Sequence, residues 1–359
     1  MSLSLQNPIS SDDIRTVSDL KEGKVFLITG PGRSEGDTAK IVLKGEYLGG
    51  TGALKAKFGA TVARQIDRQA TAKTLTPAER TAVETFCSDH EEVCQYYAGA
   101  GINTPAYSGK HREAVQALAS GIKNPGNVWV KMEAVSLNGL DKAILARAEG
   151  DKTALRSFAD TLRAPQGLEK LGRIIAADAF NGNFDRICPD AWDTPEGHEF
   201  EFGKAAEGGN KGTAFIFKMN LKTFRNLGNI TVVATDPSAQ RFEASMLDYL
   251  DPFTYLGDIH APIKDGEDTM MQRYVLRTLA DKNLRKKYAK DVIEDFEKIL
   301  NPRKSRFSLR TKLGSSAVSR LELGMIEGCR LIKEKFEAKF PVPRSVGLTE
   351  RLNLLAEVR

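Results

Sequence analysis

The sequence predicts an α+β protein in two lobes. A small β-rich lobe is expected over residues 25–135 and a larger, mainly helical lobe over residues 136–359. Three observations carry this reading. Short β-branched runs bounded by turn residues dominate the chain up to Val135. From Ser136 onward the apolar residues switch to helical spacing. A length of 359 residues also exceeds what one minimal core organises, which favours two bodies.

Composition narrows the class. An apolar share of 41% and a charged share of 28% are ordinary for a globular chain and exclude a disordered one. No apolar run reaches the length of about 18 residues that a spanning helix needs, so no transmembrane segment is expected. The N-terminus lacks a charged region followed by an apolar one, so no Sec-type signal peptide is expected, and the protein reads as soluble. A net charge of +5 permits acidic partners but is too small to argue for nucleic acid. Cys87, Cys94, Cys188 and Cys329 form no CxxC pair. Cys87, His90 and Cys94 sit at helical spacing in an amphipathic run, and the expectation is buried thiols in a reducing compartment rather than a metal cluster.

The elements follow in order. Residues 1–24 are polar and read as a flexible arm with at most one helical turn around Ser10-Ser11-Asp12-Asp13. Val25 to Glu46 reads as a hairpin whose turn, Gly30-Pro31-Gly32-Arg33-Ser34-Glu35-Gly36-Asp37, is rich in residues that permit positive φ. A Walker A loop is rejected there, because Gly36 is followed by Asp37-Thr38 and no lysine. Ala53 to Gln69 has helical composition, and Thr76-Pro77 marks a second helix start. That helix carries Glu84, Glu91 and Glu92 and ends near Gly99 to Gly101, before Ile102-Asn103-Thr104-Pro105. Glu113 to Ser120 and Asn127 to Val135 read as two strands.

In the second lobe, Asp141 to Arg163 and Gly167 to Phe180 are predicted helices, the latter with Leu168, Leu171, Ile174, Ile175 and Ala179 on one stripe. Residues 187–225 form a polar insertion with glycines and lysines around one apolar run. Ile230 to Thr235 and Phe242 to Tyr249 read as a hairpin around Asp236-Pro237-Ser238-Ala239. Residues 268–359 form a helical extension interrupted by the basic segment Arg303-Lys304-Ser305-Arg306.

The order of these pieces resembles the protein-kinase-like superfamily, in its atypical HipA-like and phosphoinositide-kinase-like branches. Asn183-Phe184-Asp185-Arg186 matches the first half of their catalytic loop, Asn229-Ile230 the second half, and Leu247-Asp248 the metal ligand after a hairpin. The likeness spans Val25 to Pro252. The chain departs from it in having Ile187 where the family has His, and in placing the insertion between Asp185 and Asn229.

What the resemblance implies is a bilobal kinase-like fold and an ATP- and Mg²⁺-dependent phosphotransferase. Asp185 would orient the attacking hydroxyl and accept its proton, with Arg186 bracing it or the phosphates. Asn229 and Asp248 would hold Mg²⁺ through hard oxygen donors. Lys44 in Ile-Val-Leu-Lys would contact the phosphates, Gly30 and Gly32 would belong to the glycine-rich turn, and a helix carboxylate would pair with Lys44. Among Glu84, Glu91 and Glu92, distance from Gly101 favours Glu92. Glu133 and Val135, in Met-Glu-x-Val, would offer backbone groups to the adenine edge. Asp178 is expected to be structural.

The lysines of the insertion and the basic tail segment point to an acidic acceptor, a protein first and a phosphoinositide headgroup second. An AMP transferase or pseudokinase on the same fold and a non-enzymatic helical interaction protein are the alternatives. The combination of a polar arm with an uncovered helical tail also resembles effector kinases that bacteria inject into a host cytosol without a Sec signal.

Overall fold

A computed structural model describes residues 3–32, 34, 36–47, 72–102, 109–134, 137–164, 166–181, 189–190, 220–221, 231–234, 242–243, 275–301, 313–337 and 346–359. The architecture is α+β: a small five-stranded antiparallel sheet and a mostly helical remainder. The chain divides into two compact units, and among the described residues those up to Ala134 belong to the first and those from Leu137 onward to the second.

The first unit is built on the sheet. Its strands are β1 (Thr16–Lys21), β2 (Val25–Pro31), β3 (Thr38–Tyr47), β4 (Ala72–Thr74) and β5 (Asn127–Glu133), in the order β1-β2-β3-β5-β4. The β2–β3 hairpin forms because alternating residues bury on one face, as the pattern in β2 shows: Phe26 and Ile28 are fully buried while Val25, Leu27 and Thr29 are half-buried. Two helices, α1 (Pro77–Gly99) and α2 (Gly109–Lys123), cover the buried face together with Val17, Ile41, Leu43 and Trp129. Helix α1 starts at a capping box: Thr76 accepts from the Glu79 amide while Glu79 accepts from the Thr76 amide.

Two expectations are corrected here. The free arm expected over residues 1–24 is not seen over its described residues, 3–24. They contribute the edge strand β1, a 3₁₀ turn at Ser11–Asp13, and the buried side chains Leu3, Leu5, Ile9 and Ile14. The polar composition hid an apolar series that pays off only against a sheet distant in sequence. Glu113 to Ser120 is not a strand but the middle of α2. Ala114, Val115, Leu118 and Ile122 are its buried residues, spaced by one, three and four as a helix face requires.

The second unit is mainly helical. Helices α3 (Leu140–Ala148) and α4 (Thr153–Arg163) are separated at Gly150, which takes φ +102°. They are followed by α5 (Gly167–Asn181), α6 (Lys282–Leu300), α7 (Ala317–Glu337) and α8 (Val346–Glu357). A three-stranded antiparallel sheet has the order β10 (Phe242–Glu243), β9 (Thr231–Ala234), β6 (Leu137–Gly139), and β7 (Pro189–Asp190) pairs with β8 (Asn220–Leu221).

The core of this unit is the crossing of α5 with α7, where glycines let the backbones meet. A Cβ on Gly172 would strike the Leu321 carbonyl, one on Gly324 the Glu169 carbonyl, and one on Gly328 would lie 2.7 Å from Arg173 Cα. Charged ends brace the crossing. Arg320 forks onto both oxygens of Glu169 at 2.9 Å, and Arg173 pairs with Glu327 at 2.7 Å. Asp178 is fully buried in α5, and Arg351 of α8 donates to the Phe180 carbonyl at 2.8 Å with its guanidinium over the Phe180 ring.

Candidate functional site

Lys44 defines the candidate site. It lies in β3 on the sheet face opposite the helices, because Ile41, Leu43 and Gly45 alternate with it into the helix-covered core. Register places Val25 of β2 and Val130 of β5 directly beside it, and the adjacent cross-strand row is Leu27, Val42 and Met132. Val130 and Met132 are buried, while Val25, Leu27, Val42 and Lys44 are half-buried. One row further toward the β2–β3 turn, Lys40 is exposed opposite Thr29. A cationic group, an apolar strip and a second cation thus follow one another along β3. That arrangement can lay a flat apolar ring on the strip and hold anionic groups at the lysines.

The turn at the end of β2 brings its glycines to the same end of the sheet. Gly30 is required by packing: a Cβ there would collide with the Asp13 carbonyl of the 3₁₀ turn. Gly32 closes the hairpin, donating to the Asp37 carbonyl at 2.8 Å, and a Cβ on it would collide with Asp37. Both glycines therefore have a local steric cause.

Glu133 sits in β5, paired in register with Ile41. Glu92 is exposed on α1 and lines a groove of about 420 Å³ between α1 and α2, alongside Cys87, Gln95, Val115 and Ala119. Glu91, its neighbour, is ion-paired with Arg112 at 2.6 Å, and that hydrogen bond holds its carboxyl below the usual range despite some burial. Asp185, Arg186, Asn229, Asp248 and Val135 lie outside the described residues, as do the predicted helix Ala53 to Gln69 and most of the insertion.

The sheet's other face holds a pair that sequence reasoning missed. Lys131 alternates with Val130 and Met132 and so points to the helix side with Trp129. Its Nζ donates to Glu79 Oε1 at 2.5 Å and to the Asn7 carbonyl at 2.7 Å, and both side chains are buried. Glu79 accepts three times more, from the Ile9 amide at 3.1 Å, the Thr76 amide at 2.9 Å and the Thr76 hydroxyl at 3.0 Å. Burial alone would raise the Glu79 carboxyl, but Lys131 and Thr76 outweigh it and hold it below its usual value. With the N-terminal segment closing over it, the Lys131–Glu79 pair is structural. The strand alternation Trp129-Val130-Lys131 was the signal that could have found it.

Burial pushes the thiols of Cys87 and Cys329 up to about 12, and Cys94 is raised for the same reason, so the three described cysteines are free and protonated. Among the described residues no group of three or more metal-binding side chains comes together, and no helix is long and apolar enough to cross a membrane. No family model matches the chain, and neither a curated protein nor a solved structure matches it.

Proposed function

We propose that this chain is an ATP- and Mg²⁺-dependent phosphotransferase that moves the γ-phosphate to a hydroxyl, on an acidic protein in the first instance. The observation that carries the reading is Lys44. It is a half-buried lysine on the sheet face away from the helices, flanked by Val25 and Val130 and next to the apolar row Leu27, Val42 and Met132. Such a face suits an adenine ring beside a lysine that offsets phosphate charge. The sequence order of Asp185-Arg186, Asn229 and Leu247-Asp248 supplies the rest of the reading.

In this mechanism the acceptor oxygen bonds to the γ-phosphorus as the bond to the ADP oxygen breaks, and Asp185 takes the hydroxyl proton. Asn229 and Asp248 are hard oxygen donors whose chemistry fits Mg²⁺. When bound, that ion offsets the phosphate charge.

Thermal denaturation with ATP, with and without Mg²⁺, tests the reading. At a ligand concentration about 100-fold above Kd the native state gains about 2.7 kcal/mol, a gain that should require Mg²⁺ and fall sharply in Lys44→Met. Absence of any Mg²⁺-dependent stabilisation by ATP in the parent protein overturns the nucleotide site. If ATP binds, the mass of the modified acceptor separates phosphate transfer from AMP transfer.

A further inference from the structure

Both ends of the segment 3–15 are held by the same strand. The Leu3 amide donates to the Pro31 carbonyl at 2.9 Å, and the Arg15 amide donates to the Thr29 carbonyl at 2.8 Å. Both acceptors lie at the end of β2. Between them the segment leaves the sheet edge and crosses to β5 and α1. There the Asn7 carbonyl accepts from Lys131 at 2.7 Å, and the Ile9 amide donates to Glu79 at 3.1 Å. The segment returns through the 3₁₀ turn at Ser11–Asp13, whose capping box with Ser10 lies within the segment itself. A loop of this size, with neighbouring ends and bonds of its own, has the form of an Ω-loop.

We propose that residues 3–15 are a strap that lifts as one cooperative unit while the sheet stays folded, and that its lifting frees the glycine-rich turn after β2. The device goes beyond the phosphotransferase reading and needs no nucleotide to operate.

What lies under the strap favours lifting. Its middle rests on the Lys131–Glu79 ion pair, whose two members belong to β5 and α1 rather than to the strap. With the strap lifted, Glu79 keeps Lys131 and both the amide and the hydroxyl of Thr76. Water takes the places of the Ile9 amide and the Asn7 carbonyl. Rehydrating a buried ion pair offsets part of the cost of exposing Leu3, Leu5 and Ile9.

The ends of the strap grip the turn. Leu3 holds the Pro31 carbonyl, and Gly30 lies so near the 3₁₀ turn that a Cβ on it would strike the Asp13 carbonyl. Gly32 follows directly and closes the turn on the Asp37 carbonyl at 2.8 Å. Once the strap lifts, Gly30 and Pro31 lose these contacts and the turn hangs from the β2–β3 ladder.

Native-state amide hydrogen exchange in the full chain, at a series of low urea concentrations, tests the strap. The Leu3 and Ile9 amides should share one opening free energy and one urea slope, both smaller than those of the central strand β3. Ile9→Val trims one buried side chain in the middle of the strap and keeps the backbone bonds. It should lower protection at position 9, at Leu3 and at Gly32 by one common factor of about 3–10. Unchanged protection at Leu3 or Gly32 in this variant means that the parts open separately, and it overturns the proposal. So does a strap that opens only together with β3 in the parent. Should the variant fail to fold, the parent's urea slopes decide: equal slopes for Leu3 and Ile9 below that of β3 support the strap, and unequal ones sink it.

Discussion

Lys131 and Glu79 meet with their side chains 4% and 3% exposed, 52 residues apart in sequence, and the pair joins β5 to the first turn of α1. Removing only one partner strands a charge in the core. Lys131→Met should therefore cost about 3–5 kcal/mol in urea denaturation, and the double variant Lys131→Met, Glu79→Met should cost less than the sum of the singles. Additive losses would show that the two residues act independently.

The same pair sets part of the acid response. The folded Glu79 carboxyl titrates below its unfolded value, so its contribution is present above the usual range of about 4.3 and is lost as pH falls through the folded value. Stability measured from neutral pH downward should show an acid limb that is shallower in the Lys131→Met, Glu79→Met double variant. An identical limb in both proteins would rule Glu79 out as a source.

Alanine is ordinarily worth about 1 kcal/mol more than glycine inside a helix. At Gly172 and Gly324 the sign should reverse, because the added Cβ meets backbone carbonyls of the opposing helix. Gly172→Ala and Gly324→Ala should each lower the denaturation midpoint, by about 1–3 kcal/mol of stability. A raised midpoint would mean that α5 and α7 separate at little cost.

Native Cys87 and Cys329 should stay unlabelled by a thiol reagent at about pH 8, since burial holds both thiols near 12, and should label fully once urea unfolds the chain. Rapid labelling of either cysteine in the folded state would contradict its burial.

If the phosphotransferase reading holds, two carboxylates divide its work. Asp185→Ala should lose about 10²–10⁴-fold in transfer rate with ATP-induced stabilisation retained. Asp248→Ala should lose the Mg²⁺-dependent part of that stabilisation. A larger loss from Asp251→Ala would place the metal ligand later in the chain.

Some of this molecule could be read from the sequence and some could not, for physical reasons. The β2–β3 hairpin and helix α5 were legible because their periodicity is local and their turn residues are strong. Helix α2 was misread because Ala114 to Ala119 is a small apolar run that fits either period, and only its packing on β1 settles the matter. The arm at residues 1–24 was misread for a related reason: Leu3 and Ile9 bury against residues that are far away in sequence. At the candidate site, Lys44 was legible as a lysine inside a β-branched strand. The Lys131–Glu79 pair was not, since it joins residues on different elements 52 positions apart.

The bond from Lys131 to the Asn7 carbonyl spans 124 residues. At about 5–20 residues per second, a ribosome takes roughly 6–25 s to make the second partner after the first. Throughout that interval Leu3, Leu5 and Ile9 have no completed sheet to cover them, although the β2–β3 hairpin can already close. These residues are thus made long before their partner and seated late, so a chaperone or a protease can meet them before the fold does.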